Sequence, residues 1–182
     1  MALSRIDTTN MIEDVPQSKL DNNINFRNII INGDMSIAQR ATSASSLTGN
    51  GYNTCDRWYS QISSTGTWTQ SQSTDVPTGQ GFATSYKWDC TTADASLAAG
   101  DSIIFQQRVE AQNLQYLKKG TANAESTTLS FWVKSNKTGT YIAELMDNDN
   151  GDSFVASFWL AAGSNYTSGT LTIGANSTVV VI

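Results

Sequence analysis

From residue 28 to residue 182 the chain is a succession of short runs rich in Thr, Val, Ile and aromatic residues, each closed by Gly, Asn, Asp or Ser. Runs of this length and composition read as strands joined by turns. They cover residues 57–63, 67–71, 81–89, 102–109, 127–134, 140–146, 153–161, 169–173 and 178–182. A further stretch at 28–40 opens with Ile29-Ile30-Ile31, is broken by Asn32-Gly33-Asp34 and resumes with alternating Met35 and Ile37. Glycine inside such a run predicts a bulge or corner, because it accepts backbone angles that other residues resist. One segment departs from the pattern. At 110–119 an acid stands in the first turn, Leu114 and Leu117 share a face, two lysines close the last turn and Gly120 follows, which predicts one short helix. Many short strands with a single helix predict an all-β fold, a jelly-roll-like two-sheet β-sandwich, since parallel crossovers would demand more helices.

Residues 1–27 are different in kind. They are polar, with isolated apolar side chains at Leu3, Ile6, Met11, Ile12, Val15, Leu20 and Phe26, and cannot assemble a core of their own. The chain therefore divides into an extended N-terminal arm, 1–27, and a β domain, 28–182. Two readings of the arm stand: a disordered tail, or a segment whose apolar residues insert into a neighbouring subunit.

Composition removes whole classes of function. The 22 Ser, 22 Thr, 15 Asn and 13 Gly coat the chain with uncharged hydroxyl and amide groups, and charged residues make up only 15%. With 11 basic against 16 acidic side chains the net charge is −5, so the counterion release that drives nucleic-acid affinity is missing and no nucleic-acid partner is expected. There is no histidine, which removes His-activated nucleophiles, His-ligated metals and a proton shuttle near neutral pH. Asp34, Asp56, Asp89 and Glu144 could supply a carboxylate pair, but nothing marks one, and the chain is not expected to be an enzyme. No run of about 18 apolar residues occurs and the N-terminus lacks the basic-then-apolar layout of a signal peptide, so synthesis in the cytoplasm and no membrane partner are expected. Cys55 and Cys90, 35 residues apart, read as two buried thiols or as a disulfide.

Two features could carry binding. The run Asp147-Asn148-Asp149-Asn150-Gly151-Asp152 offers alternating oxygen ligands, yet it is not an EF-hand, and both a hairpin turn and a calcium loop fit it. Five tryptophans, Trp58, Trp68, Trp88, Trp132 and Trp159, are many for one small domain. Period-2 alternation places Leu129, Phe131 and Val133 on one face and Trp132 on the other, and Phe158-Trp159 offers the same division. Trp132 and Trp159 are thus the candidate glycan platforms, with core or subunit-interface roles as the alternatives.

The stretch Arg27-Asn28-Ile29-Ile30-Ile31-Asn32-Gly33-Asp34-Met35-Ser36-Ile37-Ala38-Gln39-Arg40, followed by Cys55-Asp56-Arg57-Trp58, resembles the opening of virion structural and tail-fibre-like proteins of bacteriophages, cyanophages in particular. The likeness continues through Gln72 to Gly79, Gln107-Arg108-Val109-Glu110, Thr128 to Thr140 and Leu160 to Tyr166, and the N-terminal Ala2-Leu3-Ser4-Arg5-Ile6-Asp7 also looks like that group's start. More distantly, Asn32-Gly33-Asp34 and Thr128-Leu129-Ser130-Phe131-Trp132-Val133-Lys134 are similar to signatures of jelly-roll carbohydrate-binding modules. That second likeness implies Asp34 as a neighbour of a structural calcium; no other cofactor is expected. Such modules close with an aromatic and Asp-bearing strand, whereas this chain ends Thr178-Val179-Val180-Val181-Ile182. The sandwich would then be closed differently, be closed by a partner, or belong to a truncated piece.

The resemblance implies a virion location. The expected function is a tail fibre or tail appendage, with Leu3, Ile6, Met11, Ile12, Val15 and Leu20 docking on other virion proteins, a homotrimeric state, and a host surface glycan as a further partner. A capsid decoration or head-fibre protein and a free lectin-like module are the alternatives.

Overall fold

The computed structural model describes residues 28–63, 65–147, 152–163 and 165–173. The chain divides into two units between Ile31 and Asn32. In the first, Asn28 Oδ1 accepts the Ile30 N–H at 3.0 Å. The second is mostly β, built from several small antiparallel sheets, with no α-helix among its described residues.

The strands are β1 (Ser43–Leu47), β2 (Trp58–Ser63), β3 (Gly66–Ser73), β4 (Ser85–Ala93), β5 (Ser102–Gln107), β6 (Thr127–Val133), β7 (Gly139–Asp147), β8 (Asp152–Leu160) and β9 (Thr167–Ile173). One sheet has the order β1-β3-β4, and three two-stranded sheets pair β2 with β5, β6 with β9 and β7 with β8. Most of the expected runs are strands within a few residues of their expected bounds. β1 is the exception, since Ser43-Ala44-Ser45-Ser46-Leu47 carries no β-favouring side chain and is recruited by pairing on β3, Ser43 opposite Ser71 and Leu47 opposite Trp68. The stretch at 28–40 forms no strand: a turn occupies its middle, closed by the Met35 N–H on the Asn32 carbonyl at 3.1 Å. Residues 178–182 lie outside the described residues.

The expected helix at 110–119 is absent and two single 3-10 turns, Ala111–Asn113 and Gln115–Leu117, take its place. The Asn113, Leu114, Leu117 and Lys118 N–H groups each bond three residues back, and Lys118 adopts a left-handed φ of 51° that stops any continuation. The physical reason lies in burial. Leu114 and Leu117 are both buried, and three residues per turn superposes side chains at i and i+3 better than an α-helix does. A ten-residue segment gains too little from propensity alone to resist that demand.

Side chains of the β2-β5 sheet meet those of β3 and β4. Trp58 stacks on Phe105 at 4.5 Å and Phe105 on Tyr86 at 4.5 Å, while Trp88 meets Phe105 and Trp68 edge-on at 6.1 Å each. Beside this aromatic seam lies a polar one. Gln70 is fully buried, and its Oε1 accepts from Asn53 Nδ2 at 3.1 Å and from the Tyr86 hydroxyl at 2.8 Å. The single proton of the buried Ser60 hydroxyl serves either Gln70 Oε1 at 3.1 Å or the Gly51 carbonyl at 2.9 Å. Burial raises the Tyr86 phenol above its usual range, so it stays a donor. Among the described residues Cys55, Ile62, Val109, Leu114, Leu117 and Leu160 are the buried apolar ones.

A second joint ties the early strands to the later ones. Lys134, just past β6, pairs with Asp75 of the β3-β4 connection and sits 4.8 Å from the Tyr166 ring, whose hydroxyl donates to the Asp75 carbonyl. Further along, Phe131 contacts Phe158 at 5.4 Å and its ring covers Gly169 on β9. A Cβ at Gly169 would come within 2.4 Å of that ring, which explains a glycine inside a strand.

Candidate functional site

The site starts from a corner. Asn32 takes a left-handed φ of 54°, which asparagine tolerates better than most residues, and aims its amide back at the chain. Its Nδ2 donates to the Ile37 carbonyl at 2.9 Å and the Asp56 carbonyl at 3.0 Å, while its Oδ1 accepts the Ile37 N–H at 2.9 Å. Trp58 Nε1 donates to the Asn32 carbonyl at 3.0 Å, and the Asp56 N–H to the Ile37 carbonyl at 2.9 Å. Two stretches 24 residues apart are thereby locked side by side. The left-handed angles of this corner fall on Asn32 and Met35, not on Gly33 as the sequence led us to expect.

Locking Asp56 and Trp58 leaves Arg57 between them with φ 72°, a costly conformation for a residue with a Cβ. Its guanidinium lies 3.8 Å from Glu110 and enters a recess of about 330 Å³ lined by Arg40, Tyr52, Arg57, Arg108 and Glu110. The wall is an aromatic-cationic stack: Arg40 lies over Tyr52 at 5.5 Å, Tyr52 meets Tyr59 edge-on at 5.0 Å, and Arg108 lies over Tyr59 at 4.6 Å. Arg40 also faces Asp56 at 3.9 Å. Both ion pairs are long and both guanidiniums are exposed, so most of their N–H donors are left for another partner.

No family model, curated protein or solved structure matches this chain. The site therefore rests on its own geometry.

Trp132 and Trp159 are both outward, 38% and 65% exposed, beside the half-buried Phe131 and Phe158. They do not contact each other, and their surroundings differ. Trp132 stands opposite Ser168, with exposed Thr128 and Ser130 along its own strand face. Trp159 pairs with Thr140 and shares its face with exposed Ile142 and Met146 on β7. For a chain that associates with copies of itself, Trp159→Ser is accordingly expected to weaken the association and Trp132→Ser to leave it unchanged, measured by light scattering. Dissociation by Trp132→Ser alone would reverse that assignment. The other three tryptophans are half-buried in the aromatic seam.

Asp34 is exposed, and its Oδ1 accepts the Ser36 hydroxyl at 3.0 Å. Among the described residues no group of three or more Asp, Glu, His or Cys gathers to hold a metal. Asp89 pairs with Lys87 at 2.7 Å, and Glu144 is exposed on β7. The connection at 148–151, with its calcium alternative, and the docking residues Leu3, Ile6, Met11, Ile12, Val15 and Leu20 lie outside the described residues. Both cysteines are free thiols: Cys55 is buried, and burial pushes its thiol up to about 11, whereas Cys90 is exposed on β4, contrary to the expectation of two buried thiols. The sequence reading missed the arginine recess. No local pattern announced it, because Arg40, Arg57 and Arg108 stand in three stretches 17 and 51 residues apart.

Proposed function

We propose that this chain is a bacteriophage virion structural protein, a tail fibre or tail appendage, whose β domain closes as a jelly-roll-like two-sheet sandwich and whose residues 1–27 dock it on the particle. The observation that carries the reading is where the stretches resembling virion proteins meet. Residues of 27–40 and 55–58 form the Asn32 corner; Asp75, Lys134 and Tyr166, from three more of those stretches, form the second joint. That the likeness falls on residues holding one fold together supports the reading. Support for two packed sheets comes from Trp58, Ser60 and Phe105 facing Gln70, Tyr86 and Trp88 across the aromatic and polar seams. The exposed Ile142, Met146 and Trp159, on a face shared with Thr140 and Glu144, suit a homo-oligomer, for which we propose a trimer.

Two measurements on particles test the proposal. Deleting residues 1–27 should leave a domain that still unfolds cooperatively in urea but is no longer incorporated, as read by immunoblot of purified virions. Incorporation at parental levels would remove the docking role from the arm. Copy number then separates locations: a handful of trimers fits a tail appendage, scores or hundreds of copies fit a capsid decoration, and none in the particle returns the chain to a free lectin-like module.

A further inference from the structure

Every arginine among the described residues, Arg40, Arg57 and Arg108, lines the one recess that also holds Tyr52 and Glu110. The described lysines, Lys87, Lys118, Lys119, Lys134 and Lys137, lie elsewhere. This sorting by residue type matters, because a guanidinium is a planar fork that pairs with carboxylate or sulfate through two parallel bonds, whereas an ammonium is a hydrated point charge. Two of the three cations, Arg40 and Arg57, face Asp56 and Glu110 at 3.9 and 3.8 Å, beyond hydrogen-bond reach, and Arg108 has no carboxylate within ion-pair distance among the described residues. A molecule of net charge −5 thus keeps a local excess of positive charge with its donors largely unused. The arginines are also held in place before any ligand arrives. Tyr52 and Tyr59 support Arg40 and Arg108 in the stack, and the pinned, left-handed backbone at Arg57 fixes the origin of the third side chain. Strain retained at a non-glycine residue that borders a recess is a recurrent mark of a binding site.

From this we infer that the recess binds an acidic saccharide, a sugar whose carboxylate or sulfate group is gripped by Arg40, Arg57 and Arg108 while a neighbouring hydroxyl donates to Glu110. Glu110 is what separates this ligand class from others. A bare polyanion or an acidic peptide would meet its carboxylate with repulsion, whereas a sugar brings hydroxyl donors next to its anionic group. Tyr52, 39% exposed, lends the accessible part of its ring to the wall, and about 330 Å³ lies at the small end of ligand pockets, room for about one sugar residue. The inference goes beyond the virion proposal and does not rest on it: binding by the isolated protein tests the recess, and incorporation into particles tests the location.

The experiment is a calorimetric titration of the full chain at low ionic strength with methyl glucuronide, glucose 6-sulfate, methyl glucoside and inorganic sulfate. At least one acidic sugar should bind about tenfold or more tightly than both the neutral glucoside and inorganic sulfate, and should weaken at about 0.5 M NaCl, because the recess is open to screening ions. Arg108→Gln and Arg40→Gln should each weaken that sugar about tenfold, Arg108→Lys should restore little of it, and Lys87→Gln should match the parent. Glu110→Ala should tighten inorganic sulfate while weakening the acidic sugar. Binding by the carboxylate sugar alone, or by the sulfate ester alone, supports the site and names its anion. Equal binding of the neutral glucoside, sulfate binding as tight as the acidic sugars, arginine variants indistinguishable from the parent, or no acidic sugar bound at all would each overturn the inference. If one arginine variant fails to fold, judged by its circular dichroism, the other carries the test.

Discussion

Asn32→Asp should destabilise the β domain by about 3 kcal/mol, although it changes only one amide to a carboxylate. The Asn32 Nδ2 donates to two backbone carbonyls, Ile37 and Asp56, at 2.9 and 3.0 Å. An aspartate retains the acceptor for the Ile37 N–H but turns an anionic oxygen toward those two carbonyls, leaving the Asp56 carbonyl without its side-chain donor and the Ile37 carbonyl with only the Asp56 N–H. Asn32→Ala removes all three bonds and places alanine at φ 54°, so it should cost about as much. Urea midpoints give the comparison, with an expected fall in melting temperature of about 6 to 12 °C for a domain of this size. Asp34→Ala is the internal control: its carboxylate bonds only within the turn, to Ser36, and its loss should cost about 0.5 kcal/mol. If Asn32→Asp were as mild as Asp34→Ala, the corner would not be what joins residues 32–37 to residues 55–58.

Gly66→Val is the second large effect, about 2 to 4 kcal/mol. Gly66 opens β3 just after the chain leaves β2 for a different sheet, and it turns there with φ +91°. A Cβ would sit 2.2 Å from the Thr92 carbonyl oxygen and 2.9 Å from the Asp94 N–H nitrogen, both backbone atoms that cannot rotate away. The strain can be relieved only by opening the end of the β3-β4 ladder, where Gly66 pairs with Ala93 and Thr67 with Thr92. The loss of those pairs sets the upper bound on the cost. Gly66→Ala should lose nearly as much, since the first carbon makes the clash. Amide exchange should then accelerate at Thr67 and Thr92 while β7 and β8 stay protected. An Ala variant with parental stability and exchange would show that the corner has another way round.

The strands were legible because they follow a local rule. Along β6, Thr127, Leu129, Phe131 and Val133 are half-buried and Thr128, Ser130 and Trp132 exposed, a period of two that sequence alone displays. The same rule put Trp132 and Phe131, and Trp159 and Phe158, on opposite faces, and the structure showed that the tryptophans are the outward members. Where the rule is not local, the reading failed. β1 is a strand only because β3 offers it an edge, and the 110–119 segment gave up its helix because Leu114 and Leu117 had to be buried. Gly33 attracted attention as a glycine, yet the left-handed angles belong to Asn32, whose side chain finds partners 5 and 24 residues away.

By itself, then, the sequence determined the β class, the run of short strands, which neighbours share a face with Trp132 and the polar, uncharged coat. These depend on alternation, propensity and composition, which act over a few neighbouring residues. Only the tertiary structure decided which segments meet: Asn32 with Asp56, Asp75 with Lys134, and Arg40, Arg57 and Arg108 around one recess. Residues 17 and 51 positions apart carry no local pattern that announces their meeting. They converge because the apolar and aromatic side chains of separate strands must share one dry interior, and the polar groups carried along with them settle where that packing leaves them.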